Sequence, residues 1–150
     1  MSLEQEVELI RQFPIFGKIQ PAMQKLLCFS AERLAYDPGQ VMFNAGDSAD
    51  AAYIVIEGTV EISVPTPAGP IVVNTLNKND ILGEIAIFGD VPRTATAKAT
   101  TRLETLKISK ELFIKVIREN PDAAVELIRI LASRLANTTN QLTRTRSGAG

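Results

Sequence analysis

The sequence predicts a mainly β domain with flanking helices, an α+β architecture: an antiparallel β-roll of the double-stranded, jelly-roll type with N-terminal helices and a C-terminal helical lid. Three observations predict it. Between Leu34 and Ile108, short apolar runs alternate with turn signals rich in Gly, Pro, Asn and Asp, the texture of a small antiparallel barrel or roll. The two ends carry helical periodicity instead, with Leu3, Val7, Leu9 and Ile10 in front and a long run of four-and-three steps behind. With 150 residues, 45% hydrophobic and 22% charged, the chain has material for one globular core over residues 1–142 and a short tail over 143–150.

Each element has its own justification. The first helix covers residues 3–12 and stops at Phe13-Pro14-Ile15-Phe16-Gly17. A second starts at Pro21, a favoured first helical position, and runs through Met23, Leu26 and Leu27. Asp37-Pro38-Gly39-Gln40 is a turn, Val41-Met42-Phe43 a strand, and Asn44-Ala45-Gly46-Asp47-Ser48 a second turn. Residues 52–56 form a strand that enters a hairpin turn at Glu57-Gly58. Residues 59–64 alternate, placing Val60, Ile62 and Val64 on one face. Residues 65–70 make a surface turn, and residues 71–76 return as a strand. Ala95, Ala97 and Ala99 alternate with Thr96, Lys98 and Thr100, and residues 103–108 form the last strand.

Ser109 is placed to cap a helix whose apolar stripe is Leu112, Phe113, Val116 and Ile117. Asn120-Pro121 ends that helix and starts another, from Asp122 to about Leu142. Ala124, Ile128, Leu131, Leu135, Thr138 and Leu142 form a heptad seam in it, with Leu127 and Ile130 outside the seam and free to cover the roll. Such a helix serves equally as a single amphipathic helix on its own domain or as the contact of a homodimer. Residues 143–150 have no apolar period and are expected to be disordered.

Composition excludes several functions. The chain has no histidine, which removes histidine-based acid–base chemistry, Ser-His and Cys-His nucleophiles, and the commonest metal ligand. Cys28 is the only cysteine and sits in the apolar run Leu26-Leu27-Cys28-Phe29, where it reads as a small hydrophobe. No catalytic residue, metal site or cofactor is therefore expected, and binding outranks catalysis. A net charge of -1 gives no basic field for nucleic acid, so no nucleic-acid binding is expected of this chain alone. No apolar run approaches a membrane span, and the N-terminus lacks a positive region followed by an apolar one, which points to no membrane association and to the cytoplasm.

The chemistry concentrates in residues 81–97, ILGEIAIFGDVPRTATA. Gly83 allows the backbone a close approach to a ligand, and Glu84-Ile85-Ala86-Ile87-Phe88 can form one or two helical turns whose first N–H groups suit an anion. Arg93 offers a planar fork of donors for phosphate oxygens, and Glu84 an acceptor for sugar hydroxyls. The same residues also describe an ordinary helix start followed by a loop entering a strand. Residue types alone do not separate the two.

The pattern Gly83-Glu84-Ile85-Ala86, followed by Arg93-Thr94-Ala95, resembles the phosphate-binding cassette of the cyclic nucleotide-binding domain family. The resemblance extends over nearly the whole chain; Leu82 departs from it where many members have Phe, and Ala45 where Glu often precedes the turn. It implies that Glu84 binds the ribose 2′-hydroxyl, that Arg93 binds the cyclic phosphate, and that N–H groups near Ala86 and Thr94 complete the cradle. It further implies that the Thr94 hydroxyl can meet the guanine amino group, so the ligand is cyclic AMP or cyclic GMP. The space beside the small residues Ala95, Ala97 and Ala99 then admits either a base or a neighbouring helix. The segment 134–139 resembles the dimerisation helix of bacterial catabolite-activator-type regulators, which makes Thr138 and Thr139 candidate base contacts. On this resemblance the chain is a regulatory sensor domain with its last helix as lid and output. The alternative it leaves open is the sensor part of a catabolite-activator-type transcription regulator whose DNA-binding part lies outside the chain.

Overall fold

A computed structural model describes residues 2–148, apart from the side chains of residues 138, 141, 142 and 144–148. Helix α1 spans Leu3–Arg11 and opens on a reciprocal cap, in which the Ser2 hydroxyl accepts from the Gln5 N–H and the Gln5 side chain accepts from the Ser2 N–H. A 3-10 turn at Phe16–Lys18 leads to α2, Pro21–Ser30, with proline at its start as expected. Eight strands follow: β1 Glu32–Tyr36, β2 Val41–Phe43, β3 Ala51–Glu57, β4 Val60–Val64, β5 Ile71–Leu76, β6 Ile81–Leu82, β7 Thr96–Ala99 and β8 Leu103–Ser109. Helix α3, Glu84–Gly89, lies between β6 and β7, and α4, Lys110–Glu119, and α5, Pro121–Gly148, close the chain.

The strands form two four-stranded antiparallel sheets, ordered β1-β8-β3-β6 and β2-β7-β4-β5. They face each other across an apolar interior of Ala51, Tyr53, Val55, Val60, Leu76, Leu82, Ala97, Ala99 and Leu103. The first sheet is covered on its outer side by helices, where Ala52, Ile54, Ile56 and Ile108 meet Phe13, Phe16, Phe113, Val116 and Leu127. Strand β3 is the wall between these two cores. Alternate residues face each one, and all six from Ala51 to Ile56 are buried.

Four details differ from the sequence reading or refine it. Strands β1 and β6 lie where no strand is anticipated, β1 because its exposed charged residues mask the alternation and β6 because it is two residues long. Ala97 and Ala99 are fully buried in the roll interior, so their small size fits the facing sheet; only Ala95 lies at the edge. On α5, Ala124 and Leu131 pack on the helical core together with Leu127 and Ile130, leaving Val125, Ile128 and Leu135 outward at 53%, 65% and 69% exposure. The seam is therefore split between two faces: Ala124 and Leu131 turn to the domain's own core, while Ile128 and Leu135 join Val125 on the outward stripe. The assigned helix also continues past Leu142 to Gly148, with no proline to stop it. Among the described residues, no helix is long and apolar enough to cross a membrane, and no cluster of three metal-ligating side chains occurs.

Candidate functional site

Gly83 stands at the junction of β6 and α3 with φ at +85°, and a Cβ there would lie 2.5 Å from Arg93 Nη1 and 3.2 Å from the Ala51 carbonyl oxygen. The position needs glycine both for its left-handed backbone and for the guanidinium packed against it. Arg93 arrives from the loop before β7. Its N–H donates to the Asp47 carbonyl at 2.8 Å, and its own carbonyl accepts from the Gly46 N–H at 2.8 Å, so the 44–48 turn read from the sequence anchors the arginine. Asp47 Oδ2 closes that turn by accepting from the Asn44 N–H at 2.9 Å.

The Arg93 side chain is 4% exposed and held on three sides. Nη1 donates to the Gly83 carbonyl at 2.8 Å, Nη2 donates to the Ala51 carbonyl at 2.7 Å, and the guanidinium carbon lies 4.2 Å over the Phe43 ring. Burial lowers its pKa from the ordinary arginine value, opposed by Tyr53, Asp50 and Glu84.

Glu84 is 1% exposed, and its Oε1 accepts from Arg134 Nη1 of α5 at 2.6 Å. Burial pushes the Glu84 carboxyl above its ordinary value, and the Arg134 guanidinium is the main influence pulling it back. Its ion-pair partner is thus Arg134, a residue to which the sequence reading gives no role. Arg134 carries a signal that reading passed over: it follows Leu127 by seven residues, Ile130 by four and Leu131 by three, which puts a cation on the buried stripe of α5.

Glu84, Arg93 and Arg134 meet at one cavity of about 90 Å³, whose wall also includes Gly83, Ile85, Ala86, Thr94 and Ala95. Phe43 of β2, Ile62 of β4, Val73, Asn74 and Leu76 of β5, and Leu82 of β6 supply the remainder. Seven of the nine residues expected at the site are therefore brought together. Thr139 is exposed on α5 and does not line the cavity, while the Thr138 side chain lies outside the described residues.

Three buried polar atoms at this cavity have no hydrogen-bond partner among the described residues: Glu84 Oε2, Arg93 Nε and Arg134 Nη2. An acceptor and two cationic donors left open in one place are costly unless a ligand uses them. The set suits a molecule that carries both hydroxyl donors and anionic oxygens.

A family model described as the cyclic nucleotide-binding domain matches residues 33–120. The chain belongs to the cyclic nucleotide-binding domain family. The matched span runs from β1 to the end of α4 and includes the cassette, so the family's fold and this cavity coincide. A CRP-like cAMP-activated global transcriptional regulator of Mycobacterium tuberculosis is 28% identical over 136 residues, covering 90% of this chain and 61% of the relative. A cAMP-dependent protein kinase regulatory subunit of Yarrowia lipolytica is 29% identical over 108 residues, covering 72% of this chain and 28% of the subunit. Among solved structures, the sensor domain of the transcriptional regulator DNR from Pseudomonas aeruginosa matches with a TM-score of 0.77 and 25% identity, covering 93% of this chain and 94% of that one. The chain spans about three fifths of the length of the mycobacterial regulator it matches.

Proposed function

We propose that this cyclic nucleotide-binding domain takes cyclic AMP or cyclic GMP in the cavity between the roll and α5, and that it acts as a regulatory sensor rather than an enzyme. The observation that carries the reading is the set of open atoms. Glu84 Oε2 is an acceptor for a ribose hydroxyl, and Arg93 Nε is a donor for a phosphate oxygen, nine residues apart in the span from Gly83 to Arg93 that the cassette pattern covers. Carbonyl bonds fix the Nη atoms of Arg93, so its Nε–H edge is presented without reorganisation. Ile62, Val73 and Leu76 give an apolar slot for the base. Thr94, exposed at the rim, has a hydroxyl that a guanine amino group can use.

Arg134 links ligand to output. It reaches Glu84 from α5, so a ribose that engages the same carboxylate changes what holds that helix down. A ligand shifts the helix only by its differential affinity for the two arrangements, typically about 1 to 3 kcal/mol. The outward stripe of Val125, Ile128 and Leu135 is the surface through which such a shift would be read, by homodimerisation along α5. Thr139 follows Leu135 by four residues and shares that stripe, so it can meet a nucleotide only in a dimer.

The extent of the match to the mycobacterial regulator favours a second reading of the output, a sensor that controls DNA binding by a part outside these 150 residues. Calorimetric titration with cyclic AMP, cyclic GMP and 5′-AMP tests the binding reading. Saturable binding of a cyclic nucleotide in preference to 5′-AMP supports it, and no binding of either cyclic nucleotide refutes it.

A further inference from the structure

Arg93 belongs to the cassette stretch, but the segment that holds it lies half a chain earlier. Residues 43–47, from the last residue of β2 into the turn behind it, run alongside residues 93–97. The Gly46 N–H and the Asp47 carbonyl fix the Arg93 backbone, and the Ala45 N–H donates to the Thr96 hydroxyl at 3.0 Å. Phe43 pairs with Ala97 in the β2–β7 ladder. Ala97 is fully buried and small, which leaves the Phe43 ring space on the inner face of the sheet.

A guanidinium this deeply buried has to be compensated. Arg93 makes no ion pair among the described residues; its two Nη atoms face the carbonyl oxygens of Gly83 and Ala51 instead. Aromatic rings supply the rest. The guanidinium carbon lies 4.2 Å from the centroid of Phe43 and 5.9 Å from that of Tyr53, and the two rings are 6.0 Å apart and tilted by 30°. One ring comes from β2 and the other from β3, so both sheets contribute to holding one cation.

This way of compensating the charge differs from an acidic partner. A carboxylate on Arg93 would occupy its N–H donors and repel an incoming phosphate. A ring attracts the cation through its quadrupole, takes none of its strong acceptor sites and carries no net charge to oppose an anion. Nε is the Arg93 nitrogen that has no partner among the described residues.

We propose that Phe43 is a positioning residue for the phosphate: with Tyr53 beside it, its ring holds the Arg93 guanidinium by cation–π attraction, so that Nε–H meets the ligand with its charge uncancelled. The inference rests on the cyclic-nucleotide reading of the site. It gives the phosphate group a determinant outside the cassette.

The test replaces Phe43 in the full chain by mono-, di- and trifluorinated phenylalanine, and separately makes Phe43→Leu. Binding of cyclic AMP and cyclic GMP is measured by calorimetry. Fluorine drains the negative face of a ring and barely changes its shape, so packing is kept while cation–π attraction falls. Looser holding lowers the fraction of chains with Arg93 in place, and apparent affinity falls by that fraction. The expected result is a stepwise loss along the fluorinated series, reaching about threefold, and a loss of about tenfold in Phe43→Leu. Both nucleotides should lose equally, since they carry the same phosphate. The series decides even where Phe43→Leu does not fold. The sign of the effect separates the alternatives, because a ring that touched the anionic ligand directly would bind it better when fluorinated. Affinity that stays constant or rises along the series overturns the proposal and leaves the cyclic-nucleotide reading intact. No binding of either nucleotide by the unmodified chain overturns that reading, and this proposal with it.

Discussion

Gly83→Ala perturbs the site without removing any of its polar groups. The added Cβ would sit in a left-handed conformation at φ +85°, 2.5 Å from Arg93 Nη1. The backbone strain costs about 1 to 2 kcal/mol. Moving the guanidinium off the Gly83 carbonyl sacrifices a charge-assisted bond of 2.8 Å, worth about 1.5 to 3 kcal/mol. A narrower unfolded ensemble returns about 0.4 to 1 kcal/mol. The net expectation is a loss of about 2 to 4 kcal/mol, or roughly 5 to 15 °C in melting temperature for a chain of this size. Gly69→Ala is the internal control, since Gly69 has φ +110° and nothing within 4 Å of its virtual Cβ. That variant should show the strain alone. Thermal unfolding and calorimetric titration of both variants provide the measurement, with cyclic-nucleotide affinity falling at least about tenfold in Gly83→Ala only, or about 1.4 kcal/mol. If Gly83→Ala binds as tightly as the unmodified chain, or is destabilised no more than Gly69→Ala, the packing of Arg93 against Gly83 does not hold the guanidinium in its binding position.

Three further predictions test other parts of the account. Burial raises the Glu84 carboxyl above its ordinary 4.5, and ribose hydroxyl donors favour its ionised form, so affinity should fall as pH drops through that raised value. Glu84→Gln should flatten the profile between pH 4.5 and neutrality; an unchanged slope removes Glu84 as its cause. For folding the sign is opposite, because a raised folded-state pKa makes the contribution of Glu84 greatest at low pH and lost as pH rises through that window. Arg134→Leu should destabilise the chain by about 2 to 4 kcal/mol in urea unfolding by stranding the Glu84 carboxylate, and Glu84→Gln in the same chain should recover part of the loss. Purely additive effects of the two substitutions would contradict the pairing. Ile128→Asp with Leu135→Asp should abolish any dimer seen by sedimentation while leaving the melting temperature within a few degrees, since both residues are mostly exposed; a dimer that survives is built on another surface.

Much of the architecture was legible in the sequence because it rests on local signals. The capping serine at 109, the proline starts at 21 and 121, and the turn at 44–48 each act within a few residues, and each is found where expected. The cassette residues lie in one short stretch and seven of them line the cavity, but their types alone fit an ordinary helix start equally well, and it was the resemblance of the pattern to the family's cassette that marked them. What was not legible depends on long-range packing. Glu84 and Arg134 are fifty residues apart, and nothing local says which cation a buried carboxylate will meet. Asn74 was invisible because its place in the cavity wall comes with an irregularity in the β4–β5 ladder, which is a property of the pairing and not of either strand. The role of Ala97 and Ala99 depended on what faces them, which proved to be the opposite sheet.

The central claim is that Arg93 and Glu84 hold the phosphate and ribose of one cyclic nucleotide in the cavity under α5. Titration of the Arg93→Ala variant with cyclic AMP and cyclic GMP tests it most directly. The account predicts a loss of about 2 to 5 kcal/mol for both ligands relative to the unmodified chain, because the phosphate charge then lies buried without its cation. Unchanged affinity for either nucleotide in a variant that remains folded would contradict it.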